Sequence, residues 1–353
     1  MIVYLSQLTI TLKRTIMLTL KSKLILGLCL LVSTMTYSAE YFETETINFY
    51  NSGPILSLFS FIRPEALSNK EIGTFTYKNQ LSLSNYISST SKDGDQFFID
   101  GESWVLRNTL NYQLSANFLI SASLPWIKHS GGISDNFIYN FHDIFQLPQN
   151  GRRKENNDDI RWILNSDGVN LLNVEDELSA WGDLSITGQL TSQVTPSLKW
   201  AFMTKFPTGD YDKQTGSEKL EFGISVVQSN PNWFKNRTIL KDIHLAFWYG
   251  SGVSYIGQVN SLKRLDQKPY IVTARSGLAY SPYQDWHLKC QLDIHSPLFN
   301  TKIRELGWLP VQISFSTWHR LSQSTNFEFV IIEDLRPRSA PDVIFQTSLQ
   351  TTF

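Results

Sequence analysis

The sequence predicts an all-β fold: a transmembrane antiparallel up-and-down β-barrel of about 12 strands that follows a cleaved signal peptide. Three observations predict it. The chain ends in an amphipathic strand, apolar and polar residues alternate repeatedly from residue 74 onward, and the connections between these stretches alternate in length. Residues two apart in a strand share one face of the sheet, so each strand presents an apolar face to lipid and a polar face to a lumen.

The N-terminus has the features of a Sec signal peptide, which we assign to residues 1–39. Lys21 and Lys23 precede the apolar run Leu24–Val32, and small residues follow it. This run is too short to span a bilayer as a helix, as expected of a leader. Translation starts at Met1 or at Met17.

Charge and cysteine content exclude several classes of function. Removal of the leader takes away four basic residues and no acidic one, so the net charge falls from −1 to −5. This balance does not indicate nucleic acid binding. Cys290 is the only cysteine left, so neither an internal disulfide nor a cysteine metal site is possible. We expect no metal and no cofactor.

Residues 40–70 lack a clean period. They contain the turn signal Asn51-Ser52-Gly53-Pro54 and then the apolar stretch Ile55–Ile62. We assign residues 40–70 to a periplasmic N-terminal segment. A position in the barrel mouth and a plain tether are the alternatives.

Residues 71–353 form the predicted barrel, because alternation recurs along this part of the chain. The candidate strands lie near 75–83, 104–112, 118–126, 184–190, 198–206, 220–226, 243–249, 270–280, 286–294, 309–317, 327–332 and 343–353.

The lengths of the connections predict the orientation of the barrel. Short connections fall at Ser115–Asn117, Val194–Pro196, Ser281–Asp285 and Leu321–Thr325. Longer ones fall at 88–103, 127–180, 207–219, 250–269, 296–307 and 333–341, and only 229–240 departs from the alternation. Outer-membrane barrels have short periplasmic turns and long extracellular loops. The short set and the C-terminus are therefore assigned to the periplasm.

The longest connection, residues 127–180, is predicted to be an extracellular loop that contains a short helix. Phe137, Phe141, Ile144 and Phe145 recur at helical spacing, and the charged run 152–161 follows them. Such a helix could fold over the pore as a lid, dock on lipopolysaccharide, or remain solvated.

Several motifs carry a resemblance to a known family. They are Phe141-His142-Asp143 with Phe145, Leu147-Pro148 and Gly151-Arg152, then Ser123-Leu124-Pro125-Trp126, Trp181-Gly182-Asp183-Leu184 and Phe206-Pro207-Thr208-Gly209-Asp210. These motifs resemble an uncharacterised bacterial outer-membrane barrel family, the domain of unknown function 3187. The resemblance covers most of the mature chain and implies a barrel, but it implies no activity, so no functional residue can be transferred.

The last strand resembles the insertion signal of outer-membrane barrels. Phe345, Leu349 and the terminal Phe353 share its apolar face, and polar residues fill the other face. The resemblance implies the bacterial outer membrane as location. It also implies membrane lipid, lipopolysaccharide and the barrel-assembly machinery as partners, and it leaves the oligomeric state open.

Charged residues occur at the predicted inward-facing positions of the strands. Buried charges must pair or remain in water, and a lumen allows both. Because basic positions outnumber acidic ones, an open lumen would favour anions. The alternative is a plugged barrel whose charges only pair with one another. The lumen-facing candidates are Lys78, Arg107, Lys199, Lys205, Glu221, Arg275, Lys289, Asp293 and Glu328.

These observations predict a passive pore or transport-related barrel of unidentified solute. A non-transporting structural or surface barrel is the second hypothesis, and conductance would separate the two. A third, an outer-membrane lipid hydrolase, needs a serine paired with a histidine. His319 lies near Ser316 and Ser322, but no serine stands in a recognisable nucleophile motif. We therefore expect no enzyme and assign no catalytic residue.

Overall fold

The computed structural model describes residues 45–92, 94–145, 158–230, 245–283, 285–336 and 340–353. The predicted signal peptide and most of the connection at 229–240 lie outside these residues.

The described residues contain fifteen strands, which join into one antiparallel sheet. They are β1 (Phe75–Lys92), β2 (Asp95–Ser115), β3 (Phe118–Ser130), β4 (Arg161–Ser166), β5 (Val169–Val174), β6 (Leu178–Trp181), β7 (Ser185–Thr191), β8 (Leu198–Lys205), β9 (Glu221–Asn230), β10 (Leu245–Ile256), β11 (Tyr270–Tyr283), β12 (Trp286–His295), β13 (Val311–Arg320), β14 (Thr325–Asp334) and β15 (Val343–Thr352).

Twelve of the fifteen strands close into a barrel, because β1 pairs with β2 on one side and with β15 on the other. β3 pairs with β7, and every later strand pairs with the next one up to β15. The short strands β4, β5 and β6 extend the wall beside β2 and β3. The predicted closed barrel of about 12 strands is therefore confirmed.

Within the described ranges the helical elements are few and short. They are α1 (Asp135–Phe145), α2 (Arg304–Gly307) and two 3₁₀ turns at Leu56–Leu58 and Asn260–Leu265. The first of these is the helix that the spacing of Phe137 and Ile144 predicts. Across the ranges that the structure covers, no helix is both long enough and apolar enough to cross a membrane.

The two ends of the barrel differ in their connections. The predicted short connections join β2 to β3, β7 to β8, β11 to β12 and β13 to β14 at one end, which also holds the C-terminus. We call it the turn end, and the opposite end the loop end. The prediction of a long loop at 88–103 is wrong, because β1 and β2 continue through these residues as a paired hairpin. The hairpin persists because Tyr86, Phe97 and Ile99 pack into an apolar core at the loop end.

That core, the loop-end core, joins parts of the chain that are distant in sequence. It contains Ile55, Leu56, Leu58, Phe59, Phe61, Tyr86, Phe97, Ile99, Ile160, Trp162, Leu164, Val174, Ile256, Val259, Leu262, Leu265, Ile271, Leu298, Phe299, Ile303 and Leu306.

Residues 45–70, the lumen segment, contribute to this core because they lie inside the barrel. They rise along the wall, bend at the 3₁₀ turn and descend to β1. The sequence assigned residues 40–70 to the periplasm, so their described part lies elsewhere than expected. The physical reason is that the backbone of the segment bonds polar side chains from strands as far along the chain as Gln291 and Gln346.

Candidate functional site

The rising limb of the lumen segment is held by wall side chains rather than by strand pairing. Gln291 brackets Ile47: its Oε1 accepts from the Ile47 amide at 3.0 Å, and its Nε2 donates to the Ile47 carbonyl at 2.9 Å. Nε2 of Gln346 donates to the Asn48 carbonyl at 2.9 Å. A glutamine used in this way replaces the peptide partner that a neighbouring strand would supply.

The bend of the segment is strained. Ile55 has φ 68° and ψ −45°, a rare conformation for a β-branched residue, and the Leu56 amide donates to the Pro54 carbonyl at 2.8 Å. These values define a γ-turn, and strained backbone of this kind costs about 1–3 kcal/mol. Packing of the neighbouring apolar side chains offsets the cost: the rings of Phe59 and Phe299 lie 6.3 Å apart, edge to face.

The descending limb repeats the mode of the rising limb. Gln189 brackets Leu67, accepting from its amide at 3.1 Å and donating to its carbonyl at 3.0 Å. The Ile62 amide donates to Ser254 at 2.8 Å, and Thr273 donates to the Ile62 carbonyl at 2.9 Å. The segment is thus clasped on both limbs by polar groups of the inner wall.

The nine sequence-predicted charges lie on the inner face. Lys78 is half-buried, and the other eight are more than nine-tenths buried. The charges do not form one cluster; most of them meet in separate ion pairs. Arg275 bonds Asp293 at 2.7 Å, and Lys289 bonds Glu328 at 3.0 Å.

Arg107 and Lys199 are two of the basic wall groups that contact the lumen segment directly. The Arg107 guanidinium lies 3.7 Å from the centre of the Tyr50 ring, a cation–π contact. The Lys199 ammonium donates to the Leu67 carbonyl. These contacts depend on the segment, so its displacement would expose both groups to the lumen.

A third ion cluster clasps the bend. The Lys205 ammonium lies 2.5 Å from Asp183 and 2.8 Å from Glu221. It also donates to the Leu58 carbonyl at 3.3 Å, while Glu221 accepts from the Ser60 amide at 2.9 Å. The cluster therefore joins β8, β9 and the lumen segment.

Sequence reasoning did not assign Asp183 to the lumen charges, although this residue lies in the motif Trp181–Leu184. Its Oδ1 accepts from the Gly209 amide at 2.7 Å and its Oδ2 from the Ser217 amide at 3.2 Å. A Cβ at residue 209 would lie 2.8 Å from the Thr215 carbonyl, so only glycine fits. The motifs Trp181–Leu184 and Phe206–Asp210 thus form one unit that ties a loop to the wall.

The residues of the lipid-hydrolase hypothesis are not brought together. His319 stacks on Trp286 at 6.3 Å on the outer face, whereas Ser316 is buried on the inner face and donates to Glu328 at 2.9 Å. Ser322 accepts from the Thr325 amide in its turn. Among the described side chains, no group of three or more His, Cys, Asp and Glu is arranged to hold a metal ion.

The outer face is apolar and exposed, as a lipid-facing wall requires. On β15, Leu349 is 45% exposed, while Gln346 on the inner face is 1% exposed. Phe353 at the turn end is 76% exposed, and Phe345 is half-buried.

The closed antiparallel barrel, with its apolar outer face and polar inner face, defines an integral outer-membrane β-barrel protein. Residues 23–353 match the model of a family described as protein of unknown function, DUF3187, and the chain belongs to this family. No curated protein matches the sequence.

The fold is similar to that of an outer-membrane channel from Pseudomonas putida F1. The TM-score is 0.54 at 12% identity, and the match covers 83% of this chain and 100% of that one. The NanC porin gives a TM-score of 0.41 at 8% identity, covering 78% of this chain and 98% of its own. At 12% identity the likeness to the channel supports the fold alone.

Proposed function

We propose that the protein is an outer-membrane channel for small hydrophilic solutes, closed at rest by its own lumen segment. The observation that carries this proposal is the way the segment is bound. Wall side chains hold its backbone, notably Gln189, Gln291 and Gln346. Each of these groups can bond water instead when the segment moves, at little cost in free energy.

The polar wall also distinguishes a channel from a filled structural barrel. Replacing buried ion pairs by apolar side chains of similar volume is often neutral or stabilising, so stability alone does not require them. A pathway for water and solute does require polar walls. A lumen that is intermittently filled with water would retain ion pairs such as Arg275–Asp293 and Lys289–Glu328.

The solute class that we propose is anionic. Of the nine sequence-predicted inner-face charges, six are basic and three are acidic, and Asp183 adds a fourth acidic group. Arg107 and Lys199 would face the lumen once Tyr50 and Leu67 leave them. Basic side chains along a pore favour anions.

Conductance across a planar bilayer tests the proposal. The mature protein should show rare openings, and a variant that lacks residues 46–68 should conduct continuously. In a KCl gradient its reversal potential should indicate selectivity for chloride. A deletion variant that migrates as a folded barrel in unheated detergent gels but does not conduct would refute the channel.

A non-transporting surface barrel is the second candidate, and the loop-end core favours it. That core packs apolar side chains such as Trp162 and Phe299 at one end, and water cannot replace their contacts. The same bilayer experiment decides, because such a barrel would conduct in neither form. We propose no enzymatic activity.

We further propose that the loop end faces the cell exterior and that β15 carries the insertion signal for the barrel-assembly machinery. An epitope tag at Asn150 should be reached by antibody on intact cells, and one at Ser324 should not. Deletion of Phe353 should lower the assembled fraction. Outer-membrane lipid contacts the wall, and lipopolysaccharide is the expected lipid at the loop end.

A further inference from the structure

After β3 the chain leaves the barrel rim towards the outside of the wall. Glu102 shares a face of β2 with Trp104 and Leu110, the outer face. Its carboxylate accepts from the amides of Ser134 at 2.8 Å and Ile133 at 3.2 Å, so it holds the departing chain. Gly132, at φ +87°, passes so close to this carboxylate that a Cβ would collide with it.

The two ends of this excursion are clamped together. Asp135, the first residue of α1, accepts from Asn85 of β1 at 3.1 Å through Oδ1 and from the Asp158 amide at 2.9 Å through Oδ2. A Cβ at Gly131 would collide with the Asp158 carbonyl. These contacts fix where α1 begins and direct it along the outer surface.

Helix α1 lies against the outer face of the barrel near the β1–β15 seam. The rings of Phe137 and Phe345 meet edge to face, with centroids 5.9 Å apart. Phe345 lies on the outer face of β15, eight residues before Phe353. At about 3.3 Å per residue and a tilt of about 40°, this places it about 20 Å above the turn end. The apolar band of such barrels is about 25 Å tall, so the contact falls within its upper part.

The side of α1 that faces away from the barrel is apolar along one edge and polar along the other. Phe137 is 58% exposed and Ile144, two turns later on the same edge, is 72% exposed. Asn136, Asn140 and Asp143 form the polar edge and are also exposed. Ile138 is buried.

We propose that α1 is an interfacial helix, which inserts its apolar edge into the membrane leaflet at the loop end and covers the β1–β15 seam. The occupant that we assign to the exposed edge is lipid. The edge continues the lipid-facing wall at Phe345, and the helix lies flat at the depth where acyl chains meet headgroups. Amphipathic helices bind there through their apolar side while the polar side remains in the headgroup region. A lid over the pore is inconsistent with this position outside the wall.

Spin labels on α1 test the proposal in the mature protein. We would label Ile144→Cys and, as a matched control, the adjacent Asp143→Cys, both in a Cys290→Ser background, after reconstitution into vesicles of phosphatidylcholine and lipopolysaccharide. The two positions differ by 100° around the helix. The label at 144 should be several-fold more accessible to oxygen than to a water-soluble nickel chelate, and the label at 143 should show the reverse.

A second pair, Phe137→Cys and Asn136→Cys, tests the same apolar and polar edges in the first turn of the helix. It serves if a variant of the first pair fails to assemble. Equal nickel accessibility within both pairs would overturn the proposal, because the apolar edge would then face water. Dipolar broadening between labels at 144 would also overturn it, since the edge would then face a second copy of the chain. Because lipid exposure of α1 requires no conductance, the result is independent of the proposed channel function.

Discussion

At the loop end the barrel interior is filled by one large apolar core, whereas towards the turn end hydrogen bonds and ion pairs alternate with small apolar clusters such as the one around Trp248. Ile55, Phe97, Trp162 and Phe299 represent the first kind of closure, and the clasp of Gln189 on Leu67 the second. The lumen segment crosses both regions, so the two closures act on one piece of chain.

This difference in packing between the two ends indicates which part of the lumen segment can move. Exposing a buried apolar side chain to water costs roughly 1.5–3 kcal/mol, and many would be exposed together at the loop end. An intramolecular hydrogen bond contributes only about 0.5–1.5 kcal/mol net, because water replaces it. We therefore expect opening to begin in the polar region, with the loop-end core as the anchor.

The largest effect is expected from truncation in the loop-end core. Trp162→Ala removes a fully buried ring that lies 6.0 Å from Tyr86 and 4.8 Å from His129. The cost should be about 3–5 kcal/mol, measured by urea unfolding in lipid followed by circular dichroism. Trp181→Ala, at a half-exposed position on β6, is the control and should cost much less. Equal losses would mean that the core does not anchor the segment.

A loss of similar size is expected at the junction of the two regions. Lys205→Met leaves Asp183 and Glu221 buried without their cation, and such changes cost about 3–5 kcal/mol. Adding Glu221→Gln should recover part of the stability, because one uncompensated charge disappears. Unfolding midpoints of the single and double variants measure this, and no recovery would show that the ion cluster acts only through packing.

How much of the fold and of the candidate site the sequence predicts depends on how far apart in the chain the interacting residues lie. Alternation within a strand is local, so the strand count and the faces of Gln346 and Leu349 could be inferred. The position of the lumen segment could not, since Ile47 and Gln291 are 244 residues apart and meet only after closure. Helix α1 was predicted from its spacing, but its place outside the wall depends on Glu102, which no periodicity reveals.

A smaller effect on stability, but a visible one on conductance, is expected in the polar region. Gln189→Leu removes both bonds to Leu67, and each lost bond costs about 0.5–1.5 kcal/mol where water can enter. The variant should open more often than the parent in planar bilayers. Gln350→Leu is the control: among the described residues this glutamine forms no hydrogen bond to the lumen segment. Unchanged opening in Gln189→Leu would contradict the idea that the turn end releases first.

The smallest structural change gives the sharpest comparison of the two closures. Ser52 and Ser84 touch through their hydroxyls near the loop end, and Thr191 donates to Asn69 at 3.0 Å near the turn end. In a Cys290→Ser background, cysteine pairs at these positions can be linked by a short bifunctional thiol reagent. The link at 52–84 should barely alter the frequency of openings, because the core already holds that region. The link at 69–191 should suppress them, because it fixes the part that moves, and single-cysteine variants treated alike control for the reagent. If both links suppress openings equally, the segment moves as one rigid body and the two closures do not differ in function.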